Sequence, residues 1–242
     1  MHTYKNKVAL ISGSIRGLGF ATALHLAKCG YVVILNSRAE SVQAQAVISE
    51  IKKHSPKSML LFGDVVNEAE VSKLFSEIEK GFGRLDVLIN NVGNFIYKPL
   101  SETSPSEFSD VIQNNLQSAF LCSKYALPLM RQNHFGRIIS FGSCGCDRML
   151  VRKFTTPYYI AKTGILLMTK AFAMEEAKNG ITFNTISPGI LESSVVKHPT
   201  PIGREAKFED IINAIDFLLK EESQYVNGAN IKVAGGLVLG SD

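Results

Sequence analysis

An α/β fold, with a parallel sheet covered by helices on both faces, is predicted by two features of the chain. Short β-branched runs alternate with longer helical patterns from one end to the other, and the helical stretches carry their apolar residues on one face. The extended runs fall at residues 8–11, 32–35, 59–62, 87–89, 137–141, 181–186 and 231–233. Between them Val71, Leu74, Phe75 and Ile78 recur at three- and four-residue spacing, and later Ile211, Ile212, Ile215, Leu218 and Leu219 do the same. That period puts one helix face in the core and leaves no apolar box for a ligand. No repeat and no low-complexity linker interrupts the 242 residues, so a single domain spanning 1–242 is expected.

Composition excludes several classes. Lys and Arg number 26 against 22 Asp and Glu, and the surplus of +4 is scattered, which gives no basic face for nucleic acid. Cys29, Cys122, Cys144 and Cys146 include one C-x-C pair but no C-x-x-C and no histidine at zinc-ligand spacing. They read as reduced thiols of a cytoplasmic protein, with no disulfide framework and no metal. An extended run begins by Val8, which leaves no room for a signal core, and no stretch of 18 apolar residues occurs, so neither secretion nor membrane spanning is expected.

The first extended run leads directly into SGSIRGLG (residues 12–19) and then a helical pattern. Such a turn presents backbone N–H groups and the positive end of a helix to a pyrophosphate, and glycine permits the close approach. The spacing Gly13, Gly17, Gly19 differs from G-x-G-x-x-G, and by itself also suits a plain tight turn. The end of the second run sharpens the reading, because an NAD site places a carboxylate there for the ribose 2′-hydroxyl. Here stand Asn36, Ser37 and Arg38. Arg38 and Arg16 suit a 2′-phosphate, which favours NADP(H) over NAD(H) in a Rossmann-type three-layer sandwich.

Toward the other end, Tyr158 and Lys162 lie four apart in YYIAK on a helical pattern, hence on one face. The ammonium is expected to lower the phenol's pKa from about 10 toward the working pH, as general acid–base chemistry requires. Ser143 closes the fifth run, GRIISFGS, at the carboxyl end of a strand, where open α/β sheets bind ligands. Its hydroxyl can stabilise charge on a substrate oxygen. The stretch 191–204, rich in Ser, Pro and Gly, is the long loop of the chain and suits a substrate-side lid.

SGSIRGLG, NNVG (residues 90–93), Asn115, Ser143, YYIAK and SPG (residues 187–189) follow one another as in the short-chain dehydrogenase/reductase family, which the chain resembles over nearly its whole length. It looks most like the 3-oxoacyl-[acyl-carrier-protein] reductases and related NADP-dependent carbonyl reductases. The resemblance implies a seven-stranded parallel sheet and hydride transfer between NADP(H) and a carbonyl or alcohol, with 3-oxoacyl thioesters among the substrates. It implies catalytic roles for Ser143, Tyr158 and Lys162, with Asn115 holding a relay water. For the cofactor it implies Gly13, Ser14, Arg16, Gly17, Leu18 and Gly19 at the phosphates, Asn36, Ser37 and Arg38 at the 2′-phosphate, and Asp64 and Val65 at the adenine. Asn91 and Gly93 then support the ribose and nicotinamide side, Tyr158 and Lys162 the nicotinamide ribose, and Pro188, Gly189 and Leu191 the nicotinamide itself. Homotetramers or dimers are implied too, in line with the apolar excess of helical stretches 107–130 and 158–177. The chain departs from the family at Val92, in a longer segment containing Cys144, Cys146, Arg148, Arg152 and Lys153, and in a short lid after Gly189. The alternative is a cofactor-binding regulator or scaffold that keeps the fold without efficient catalysis.

Overall fold

The computed structural model describes residues 6–149, 153–195, 197 and 199–237; Arg152 lies outside the described residues. Seven strands form one parallel sheet: β1 (Val8–Ile11), β2 (Val32–Ser37), β3 (Met59–Phe62), β4 (Val87–Asn90), β5 (Gly136–Phe141), β6 (Ile181–Pro188) and β7 (Asn230–Val233), in the order β3-β2-β1-β4-β5-β6-β7. Every residue of β1, β2, β4 and β5 is buried, whereas β3 and β7 at the two edges are partly exposed. Strands covered on both faces need continuous apolar runs, which is why the pattern in the sequence lacks alternation. The expected strand positions hold to within a few residues.

Helices α1 (Gly17–Lys28), α2 (Val42–His54), α3 (Glu68–Phe82), α4 (Pro105–Ile112), α5 (Ser118–Gln132), α6 (Thr156–Glu176) and α7 (Phe208–Leu219) flank the sheet. Local chemistry sets their ends. Asn67 caps α3 by accepting from the Ala69 and Glu70 amides, and Gly83 closes it at φ 63. Ser104 and Glu107 form a reciprocal capping box at the start of α4. The buried stripes of α3 and α7 are the two periodic sets noted above. The described residues fall into two compact units, one holding those up to 92 with 118–138 and 176–181, the other 93–117, 139–175 and 182–237. Among them no helix is long and apolar enough to cross a membrane.

One continuous helix over 107–130 does not form. A π-helical turn, Gln113–Gln117, separates α4 from α5. The side-chain amides of Asn114 and Asn115 donate to the Asp110 and Val111 carbonyls at 2.9 Å each, competing for the acceptors a regular helix assigns to the backbone.

Within the first unit the buried carboxylate of Asp86 accepts from the Val8 amide at 2.8 Å and from Arg84 Nε at 2.9 Å, pinning the start of β1 beside that of β4. Asp86→Ala should therefore lower unfolding stability by about 2–4 kcal/mol, since it strands the Val8 N–H and unpairs Arg84. Urea denaturation measures the loss; an unchanged midpoint would show that water replaces the carboxylate.

Candidate active site

In the first unit the glycine turn is braced from behind. Asn91 Nδ2 donates to the Ser12 and Gly13 carbonyls at 3.0 and 2.9 Å. Asn36, buried, accepts from Gly13 N at 3.2 Å and donates to Gly63 O at 3.0 Å. Ser14 Oγ, also buried, accepts from Asn36 N at 3.1 Å, and Ser37 Oγ donates to Ala39 O at 2.9 Å. The polar side chains of Ser14, Asn36 and Asn91 thus hold the turn itself, while Ser37 braces the end of β2. Asn36 spends one bond from each end of its amide inside the protein.

The glycines divide the work in the same way. A Cβ on Gly19 would lie 2.5 Å from Asn91 Nδ2, and one on Gly13 would lie 2.8 Å from Val92 Cγ2, so internal packing forbids both. Gly17, at φ 54, meets nothing within 4 Å. It keeps a left-handed backbone beside open space at the start of α1, whose N-terminus no side chain caps. Arg16 is exposed there beside Leu18, which is part-buried. Arg38 is exposed as well, with Asp64 at 3.8 Å. Asp64 lies two residues beyond β3 and accepts from the Val66 amide at 3.2 Å, and Val65 is buried between them. A turn with open amides, side-chain-free at the closest point and flanked by two arginines, fits a pyrophosphate and a further phosphate.

The second unit gathers the other expected residues. Lys162, buried on α6, donates through Nζ to the Phe141 carbonyl at 2.8 Å, at the end of β5. Asn115, in the π-helical turn, donates to Asn94 O at 2.7 Å and Val111 O at 2.9 Å. Its Oδ1 is buried and receives no hydrogen bond from the described residues. A Cβ on Gly93 would stand 2.5 Å from that oxygen and 3.6 Å from Lys162 Nζ, which is why glycine follows β4 here. Lys162 Nζ lies 5.4 Å from the Tyr158 ring centre, and Tyr158 and Ser143 line the same cavity. Pro188 ends β6, and a Cβ on Gly189 would strike Ala234 Cα at 2.9 Å. Leu191 bridges to Ala206, which ties the base of the 191–204 stretch; that stretch has no helix among its described residues.

Burial dominates the electrostatics. It pushes the Tyr158 phenol up, with Cys146 and Tyr159 adding to the rise and the Ser143 hydrogen bond opposing it. It pushes the Lys162 ammonium down to about 8. The expectation that Lys162 acidifies the phenol is therefore reversed within the protein's own groups: desolvation outweighs a cation whose Nζ is already committed to Phe141. The Cys146 thiol, also buried, is raised to about 11.

A cavity of about 390 Å³ opens where Ser143 and Tyr158 meet, bounded by Gly189, Ile190 and Phe95. Its size suits a small molecule.

A family model described as "Enoyl-(Acyl carrier protein) reductase" matches residues 13–238. The chain belongs to the short-chain dehydrogenase/reductase family. Within this family it is 32% identical to a 3-oxoacyl-[acyl-carrier-protein] reductase of Staphylococcus epidermidis, over 97% of this chain and 100% of the relative. It is 33% identical to the enzyme of that name from Staphylococcus aureus, over 96% and 98%. It is also 31% identical to a (2S)-[(R)-hydroxy(phenyl)methyl]succinyl-CoA dehydrogenase subunit of Thauera aromatica, over 96% of each. A solved structure from Sinorhizobium meliloti, described as a short-chain alcohol dehydrogenase, superposes with a TM-score of 0.90 at 25% identity, covering 98% of both chains. Short-chain dehydrogenase/reductase membership makes the chain an oxidoreductase of the hydride-transfer class, resembling 3-oxoacyl reductases.

Three features of the site escaped the sequence reading. Cys146 N donates to Ser143 O at 3.2 Å, Tyr159 Oη donates to Cys144 O at 3.1 Å, and Thr163 Oγ1 donates to Cys146 O at 3.2 Å. Tyr159 and Thr163 flank the YYIAK string, so its doubled tyrosine was the available signal.

Lys162 yields a pH signature. Its pKa falls from the ordinary value of about 10.5 when unfolded to about 8 when folded, so between these limits the unfolded chain binds more protons and stability rises with pH. Lys162→Met should remove a rise on the order of 1–2 kcal/mol between about pH 8 and pH 9.5, where most tyrosines are still protonated. Denaturant midpoints of both proteins across that window test this; parallel curves would mean that the ammonium is solvated.

Proposed function

We propose that this chain is an NADP(H)-dependent carbonyl reductase or alcohol dehydrogenase, acting as one domain over residues 1–242. The observation that carries the reading is the convergence of Ser143 and Tyr158 on one cavity, with a buried Lys162 one helical turn along. Bound NADPH supplies a hydride to the carbonyl carbon, and with one proton taken by the oxygen the products are an alcohol and NADP⁺. The remaining steps belong to the protein. Ser143 and Tyr158 hold the substrate oxygen, and Ser143 donates to it as negative charge develops there. Tyr158 stays protonated at neutral pH, as the acid of the reductive direction must. Lys162, with its pKa near 8, resupplies that proton, and Asn115 Oδ1 is the acceptor beside it for a water leading to solvent. Pro188, Gly189 and Leu191 support the nicotinamide, and Asn91 and Gly93 the ribose side.

NADP(H) is favoured by what stands at the end of β2. No carboxylate occupies positions 36–38, and Arg38 and Arg16 are exposed for a 2′-phosphate. Thioesters named for the relatives make 3-oxoacyl thioesters a substrate class to be tried. A second copy of the chain is the proposed partner for α6, where Ile160, Leu167 and Met174, seven apart, are 46%, 71% and 81% exposed. A cytoplasmic location accords with four cysteines that no disulfide joins.

Tyr158→Phe should lower NADPH-dependent ketone reduction by about 100-fold or more while leaving NADPH affinity within a few fold, as loss of a general acid requires. Stopped turnover alongside loss of nucleotide binding would instead assign the phenol a structural role. Wild type that binds NADPH but consumes none with ketones, diketones or 3-oxoacyl thioesters would make the chain a nucleotide-holding regulator. Arg38→Asp should shift the NADP(H)-to-NAD(H) ratio of kcat/KM by about tenfold or more toward NAD(H), because a carboxylate there repels the 2′-phosphate; an unmoved ratio would place the phosphate elsewhere.

A further inference from the structure

The cavity beside Tyr158 is walled by aromatic rings on a pinned frame. Lys98 N donates to Phe154 O at 2.8 Å, joining the segment after β4 to the one that leads into α6. Lys98 Nζ is in turn held by both Glu107 oxygens at 3.0 Å, and Glu107 is locked in the capping box of α4. Two contacts thus fix the loop bearing Phe95 and Tyr97, yet those rings are 43% and 58% exposed. Tyr97 packs against Phe154 with ring centres 5.0 Å apart, and Phe95 meets the Tyr158 ring edge-on at 6.2 Å. The rings line the cavity up to the phenol that handles the proton.

Charge in this cavity is as asymmetric as its shape. Lys153 is the one charged residue among the described residues lining it, and no carboxylate faces it there. Its Nζ lies 5.5 Å from the Phe154 ring centre, so the cation belongs to the aromatic end. Ser143 and Tyr158 supply the polar hydroxyls at the reacting end. A ligand that matches all three features has a carbonyl for the hydroxyl pair, a flat apolar body for the rings and an anion for the lysine.

We propose that the substrate is a small aryl ketone bearing a carboxylate, or the corresponding hydroxy acid, with its ring among Phe95, Tyr97 and Phe154 and its carboxylate at Lys153. This rests on the hydride-transfer reading above. The step is ArC(O)R–CO₂⁻ + NADPH + H⁺ → ArCH(OH)R–CO₂⁻ + NADP⁺: a C–H bond forms at the carbonyl carbon, and the oxygen takes the Tyr158 proton. An aryl group gains ring-to-ring contacts beyond its buried area, which an alkyl chain of similar size does not. The anion gains an exposed charge-assisted contact, a smaller increment.

The test uses the full chain, NADPH and four ketones: 4-oxo-4-phenylbutanoate, 4-cyclohexyl-4-oxobutanoate and the methyl ester of each, with acetoacetyl-CoA run in parallel. The aryl acid should exceed the alkyl acid in kcat/KM by about tenfold or more, as several aromatic contacts imply. It should exceed its own ester by about threefold or more, as an exposed ion pair implies. Lys153→Met, which keeps an apolar stem, should bring the acid-to-ester ratio to one or below, and Tyr97→Leu should reduce the aryl-to-alkyl ratio. Equal rates for the aryl and alkyl acids, or an acid-to-ester ratio unmoved by Lys153→Met, overturns the assignment. Turnover of acetoacetyl-CoA without the aryl acid overturns the substrate class but leaves hydride transfer standing. Should no compound consume NADPH, the enzymatic reading fails, and equilibrium dialysis decides the ligand class: equal binding of the aryl and alkyl acids overturns it, and preferential binding of the aryl acid supports it.

Discussion

A buried ammonium is the constraint around which the second unit is arranged. Lys162 cannot leave water without oxygen partners, and the carbonyl at the end of β5 is one of them, at 2.8 Å. Satisfying it imposes conditions on elements far away in sequence. β5 must end at Phe141, Gly93 must lack a side chain, and Asn115 must sit where its Oδ1 approaches the same space. The π-helical turn meets the last condition, since it lets the Asn115 amide take the Val111 and Asn94 carbonyls while the oxygen stays unengaged. A local break in helix geometry at a functional position is a known use of such turns.

The same desolvation that lowers the Lys162 pKa raises that of Tyr158. The phenol is thus kept protonated and the amine is brought near neutrality, an ordering suited to passing a proton from lysine to tyrosine to substrate. Ser143 opposes the rise, and the Cys146 amide bonds the Ser143 carbonyl in turn. The site is better described as a phenol kept protonated beside an amine drawn down by burial than as a tyrosine acidified by a lysine.

The first unit solves a different problem. Its turn must present backbone amides outward while remaining rigid, and it does so by spending its own polar side chains inward. Asn36, Ser14 and Asn91 each bond the turn or the strand beside it, leaving only backbone and two exposed arginines on the outer side. Rigid donors lose little freedom when a phosphate arrives, which favours affinity.

The sequence alone determined the strand order along the chain, the glycine turn, the Tyr158–Lys162 pair and the absence of a carboxylate at positions 36–38. Each is a local pattern: hydrophobic period, fixed spacing on a helix, or residue type at a strand end. What needed the tertiary structure was every property that depends on residues distant in sequence. The placing of Asn115 beside the segment after β4 comes from its bond to Asn94, and the inward commitment of Asn36 from its meeting Gly13 and Gly63. The direction of the Tyr158 shift belongs here too, because spacing reports which charges are near whereas only packing reports how much water has gone. The aromatic wall likewise forms only when Tyr97 meets Phe154 across 57 positions of chain, a contact no local pattern encodes.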